Sequence, residues 1–295
     1  MERILVGTRE GSVVVGDPGP PDLEGDVTAL ARGDGGLWAL TGGARILQLE
    51  AGGWRETAAS PDASLTCLLP VGGRVYLGAA EARLLRWGGS APEPVESFDD
   101  APTRETWYTP WGGPPDVRSL SADGAGTLYV NVHVGGILRS DDDGESWVPT
   151  IDVDADVHQV MAHPREARTV LAATARGLAV SRDAGASWTF HTEGLHAPYC
   201  RAVAVGDRGV LVSASVGPFG GRAAVYRFAD GSFEQCTEGL PDWFGDNINT
   251  HCLSAGGRRA AFGTSEGHVY ASDDGGHTWE RVAESLPPTT AVLLD

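Results

Sequence analysis

Three octapeptides, SDDDGESW (140–147), SRDAGASW (181–188) and SDDGGHTW (272–279), share the form S-x-D-x-G-x-[S/T]-W. The first two begin 41 residues apart, at 140 and 181, and the third begins 91 residues later, at 272. The longer interval has room for two repeats. FADGSF (228–233) stands where the intervening copy belongs, with Phe233 in place of the Trp. A fixed period of this size commits a chain to stacked copies of one supersecondary unit, because a single copy cannot bury its own apolar face.

The octapeptide has a mechanical reading. Its Asp bonds N–H groups of the turn, its Gly supplies a positive φ, and its Trp anchors the next strand in the core. With that spacing the motif resembles the Asp-box (BNR) repeat of sialidases, sortilin-type receptors and photosystem II assembly-factor propellers. The resemblance implies that the box is a structural turn between the third and fourth strands of a propeller blade, away from the functional face.

Three strand-like segments precede each box. VRSLSA, TLYVNV and GILRS lead into the first; VHQVMAH, TVLAAT and GLAVS lead into the second. With the strand begun by the Trp they make four-stranded blades. Aligned first strands give seven segments: VTAL (27–30), LTCL (65–68), VRSL (117–120), VHQV (157–160), CRAV (200–203), THCL (250–253) and TTAV (289–292). No three strands can follow the last, and RILVGT with GSVVVG at the N-terminus supplies its second and third. The expected fold is therefore all-β, a single domain over 1–295. It is a seven-bladed propeller of four-stranded antiparallel blades, the last closed by both chain ends, which removes open sheet edges.

The same alignment isolates candidate site residues. The second residue of each first strand is Thr28, Thr66, Arg118, His158, Arg201, His251 and Thr290. Blades seven, one and two carry threonine there; blades three to six carry Arg, His, Arg, His. Burying four such groups on one arc is costly unless they are partnered. Asp116 and Asp156 lie two positions earlier in their blades, and Asn249 does so in blade six. The loops entering blades three to six, with the second-to-third-strand turn of blade five, bring Trp107, Tyr108, Trp111, Tyr199, Phe219, Trp243 and Phe244 to the same face. His133 stands where matching turns carry Thr174 and Thr264. Purely structural accounts exist too. Arg118 could pair with Asp116 or Asp156, Arg201 with Asp246, and the aromatics could plug the channel.

Composition narrows the partners. A formal net charge of −18 repels nucleic acid and anionic membrane. No apolar run reaches the ~20 residues of a membrane helix, and MERILVGTREG lacks a signal-peptide core, so a cytoplasmic location is expected. Cys67, Cys200, Cys236 and Cys252 form no CxxC pair. The chain reads as carrying buried reduced thiols rather than a disulfide framework.

Three functions are consistent with these residues. In the first, the channel mouth is an enzyme site for a small anionic or carbonyl-bearing substrate. Arg118 and Arg201 bind charge, His158 and His251 handle protons, Asp116 and Asp156 orient them, and the loop aromatics with Asn249 line the pocket. There His133, His158, His196 and His251 could instead hold a transition metal. In the second, the chain is a non-catalytic binding or assembly scaffold. In the third it is a sialidase-like glycoside hydrolase, against which stands the absence of an F/Y-R-I-P motif and of a third converging arginine. Oligomeric state and substrate are not written in the sequence.

Overall fold

The computed structural model describes residues 3–16, 19–110 and 112–295. The chain is all-β, a seven-bladed propeller, with one helical turn (Glu96–Asp99) and two short 3-10 turns (Arg104–Thr106 and Val153–Ala155). Contacts group it into two units, 1–27 with 173–179 and 190–295, and 28–172 with 180–189.

Six sheets have four strands in sequential antiparallel order. Blade three runs Val117–Ala122, Leu128–Val132, Gly136–Ser140 and Val148–Pro149; blade four runs Val157–Ala162, Val170–Thr174, Gly177–Ser181 and Thr189–His191. The seventh joins the chain ends as expected. Thr289–Leu294 pairs with Ile4–Thr8, with Ile4 opposite Leu294 and Val6 opposite Val292, and Ile4–Thr8 pairs with Ser12–Val15. It departs from the expected four strands, having three. The place of a fourth is taken by a single bridge from Gly11 to Glu24 and by the Ser12 N–H bonding the Leu23 carbonyl.

Blades pack through short contacts at small residues. Gly78, on the second strand of blade two (Arg74–Ala79), packs against the first strand of blade three. A Cβ there would meet Val117 Cγ1 and Cys67 Sγ at 2.5 Å. Threonines tie first strands together: Thr66 donates to the Val117 carbonyl at 2.5 Å and Thr290 to the Val27 carbonyl at 2.5 Å. All four cysteines are buried and free, and burial pushes the Cys67 and Cys200 thiols up to about 12.

The three octapeptides make one hydrogen-bond pattern. In the first, Ser140 donates to Asp142 (2.7 Å) and accepts from the Gly144 N–H (2.8 Å). Asp142 accepts from the Ser146 N–H (2.9 Å) and hydroxyl (2.6 Å). Ser181–Asp183–Ser187 and Ser272–Asp274–Thr278 repeat it. The bonds from Ser146, and those from Ser187 in the second copy, hold the Asp142 and Asp183 carboxyls at about 2. Trp147 and Trp279 are buried as the motif requires, Trp147 edge-on to Phe98 at 5.1 Å. Trp188 is only half-buried, anchored by its indole N–H on the Thr150 carbonyl (2.7 Å). Phe233 is buried against Phe228, filling the Trp position in the degenerate copy.

Candidate functional site

Within the unit 28–172 with 180–189, the loop-facing ends of blades three and four bring His133, Asp156 and His158 together. His158 is on the first strand of blade four, fully buried (0% exposed). That strand is registered on blade three by buried Ser119. The Ser119 hydroxyl accepts from the Val160 N–H (2.9 Å) and from the Asn131 side chain (3.2 Å).

Asp156 precedes the strand as the C-cap of the 3-10 turn Val153–Ala155, whose N-terminus Asp152 caps by accepting from the Asp154 N–H. It takes a left-handed conformation (φ 48°, ψ 70°), which Asp tolerates better than most residues. His133 is on the second-to-third-strand turn of blade three, pinned by its N–H to the Asp116 carbonyl (2.9 Å). The next residue, Val134, has φ 53°, an outlying conformation for a β-branched side chain.

The two imidazoles face one carboxylate. His133 Nε2 is 3.2 Å from Asp156 Oδ1, and His158 Nε2 is 3.6 Å from Oδ2. The rings are 6.0 Å apart by centroid, inclined at 42°. Burial opposes ionisation of Asp156. The adjoining imidazoles outweigh it, and the carboxyl lies well below the usual carboxylate range. Among the described residues these three side chains form the one converging group of three or more histidine, cysteine or acidic ligands.

The other expected site residues are distributed differently. Arg118 is half-buried on the first strand of blade three, which packs beside that of His158. Asp116 turns the other way, accepting from the Glu81 N–H (3.2 Å). Trp107 is buried with Phe98 in the core, its ring beneath Gly135, where a Cβ would meet it at 3.1 Å. Tyr108 is exposed, and Trp111 lies outside the described residues.

In the other unit, Arg201 donates to the Pro218 carbonyl (3.1 Å) and lies over Tyr199 at 5.1 Å. His251 does not extend a strand as expected. It sits in a turn with φ 66°, and the strand starts at Leu253. Phe244 is core, edge-on to Phe262 at 5.4 Å, while Phe219 is 98% exposed and Asn249 is exposed. His196 bonds Tyr226 Oη through Nδ1 (2.6 Å) and packs on Trp243 at 4.6 Å; burial pushes its imidazole down. Arg222, which sequence reasoning passed over, stacks on Trp243 at 4.5 Å. The unusual length of the blade-five turn SVGPFGG was the available signal.

No protein-family model matches the chain, and no curated protein resembles it detectably in sequence. Solved structures of similar shape are β-propellers. A GH74 enzyme of Niastella koreensis superposes with a TM-score of 0.60 at 14% identity, covering 94% of this chain and 46% of that one. Virginiamycin B lyase from Staphylococcus aureus gives 0.65 at 13% identity, covering 88% and 85%. YCF48 from Cyanidioschyzon merolae gives 0.58 at 16%, covering 88% and 86%. The chain spans about half the length of the GH74 enzyme. At such identities the likeness establishes the propeller fold alone. Among the described residues no helix is long and apolar enough to cross a membrane.

Proposed function

We propose that this chain is a cytoplasmic Asp-box propeller that acts as an enzyme on a small anionic or carbonyl-bearing compound. The His133–Asp156–His158 cluster is its chemical centre and Arg118 the cation beside it. The supporting observation is the convergence of two buried imidazoles on one carboxylate at 3.2 and 3.6 Å. Groups of that kind, fixed by packing, polarise a substrate oxygen better than mobile surface groups do, because they need no reorganisation as charge develops. Full-length protein incubated with a panel of small carbonyl and carboxylate compounds, followed by NMR, tests the reading. At least one compound is converted by wild type, Asp156→Asn abolishes conversion, and Arg118→Ala raises KM more than it lowers kcat. Conversion that survives Asp156→Asn refutes the assignment.

A scaffold reading is favoured by a different observation. Phe219 is 98% exposed and Val216 55% exposed on one turn, an apolar tip with no cover from the chain itself. It predicts that no compound on the panel is converted and that Phe219→Ser weakens capture of a partner protein.

A further inference from the structure

We infer that His133, Asp156 and His158 form a binding site for one divalent first-row transition metal. This deepens the enzyme reading by naming what its chemical centre holds.

Metal–ligand bonds of about 2.0–2.1 Å place tetrahedral ligands ~3.3–3.4 Å apart. Each imidazole nitrogen lies close to that spacing from its own oxygen of the shared carboxylate, His133 Nε2 at 3.2 Å from Oδ1 and His158 Nε2 at 3.6 Å from Oδ2. All three ligand atoms lie within 4.8 Å of one another, so small side-chain rotations complete the site. Two imidazoles and one carboxylate suit zinc or ferrous iron and are a poor set for magnesium or calcium, which take oxygen ligands. Three protein ligands leave coordination for a water or a substrate oxygen. The Asp156 side chain, 30% exposed, opens the site to the loop face.

In blades four and seven the residue matching His133 is a threonine that closes its own turn. Thr174 accepts from the Arg176 N–H (3.0 Å) and donates to the Gly177 carbonyl (2.9 Å). Thr8 accepts from the Glu10 and Gly11 N–H groups and donates to the Gly11 carbonyl (2.7 Å). In blade three the equivalent position is a histidine, and its Nε2 faces Asp156 at the entrance to the next blade. Backbone strain sits on both sides, at Val134 and Asp156 (φ 53° and 48°). Strain of this sort persists where surrounding structure over-determines an aim.

Metal binding is measured without substrate, so the two readings fail separately. Chelator-treated full chain is titrated with Zn²⁺ by calorimetry and with Co²⁺ by visible absorption. Wild type takes up one equivalent of each, with Co²⁺ showing ligand-field bands of a nitrogen–oxygen site. Asp156→Asn and His133→Ala weaken Zn²⁺ binding by at least about 100-fold, the upper end of what losing an outer-shell partner alone costs. His163→Ala and His196→Ala bind as wild type does. Absence of saturable binding by wild type, or equal binding by Asp156→Asn, overturns the proposal and leaves a protonic His–Asp–His lock. Should His133→Ala not fold, the near-isosteric Asp156→Asn decides alone.

Discussion

In blade four the turn after the second strand is closed from within, by the Thr174 hydroxyl on Arg176 and Gly177. The same turn in blade three carries His133, which reaches across to Asp156 at the entrance to blade four. The box turns at the other end of both blades are alike bond for bond. Where the repeat is kept, polar side chains satisfy nearby backbone, which stabilises the turn and leaves nothing over for a ligand. Where it is broken, polar side chains meet one another. The proposed centre therefore sits at a deviation from the repeat rather than in the repeat itself.

That contrast can be attacked at four strengths. Deleting residues 1–16 removes two of the three strands of blade seven and strips Thr289–Leu294 of its partner. Cooperative thermal unfolding should be lost, and a sharp wild-type-like transition by calorimetry would show that closure does not depend on the N-terminal strands. Next comes Trp147→Ala, a large-to-small change in a packed core, expected to destabilise by about 3–5 kcal/mol in urea unfolding while Zn²⁺ binding persists.

Smaller again is Asp183→Ala, which should lower Tm by several degrees without touching metal uptake. Its effect should vanish in acid. Asp142 and Asp183 ionise at about 2 in the fold, against about 3.9 in an unfolded chain. A depressed carboxyl contributes stability that is complete above the unfolded value and is lost as pH falls through the folded one. Melting curves from pH 5 down to 2 should therefore show wild type converging on the variant. The smallest effect on stability belongs to His133→Thr, which returns blade three to the pattern of its neighbours. Its Tm should equal or slightly exceed that of wild type while Zn²⁺ binding disappears. A marked loss of Tm would mean that the histidine holds the turn together.

The fold was legible because a period-bearing motif states its own architecture: three boxes and seven aligned first strands located every blade, including the closure of Ile4–Thr8 on Thr289–Leu294. The fourth strand of blade seven was not, since a single bridge at Glu24 leaves no alternating pattern to read. Of the expected site residues, His133, Asp156 and His158 come together because turns and strand starts at equivalent repeat positions share a face. The loop aromatics scattered. An irregular loop gives no period from which direction can be inferred, so Trp107 and Phe244 turned into the core while Phe219 turned out. Buried against Phe98 or Phe262, each removes a large apolar area from water, which no mouth position would.

Ile4–Thr8 pairs on one edge with nearby Ser12–Val15 and on the other with distant Thr289–Leu294, and the distant pairing has a consequence at the ribosome. At ~5–20 residues per second, the early strand waits roughly 15–60 s before its mate is synthesised. Throughout that interval an apolar β-strand presents one unpaired edge to the cell, the template on which intermolecular pairing starts. A holdase or trigger-type chaperone engaging this strand on the nascent chain would cover that edge. Yield of this protein in a heterologous host should then follow chaperone supply more closely than it follows the stability of the finished ring.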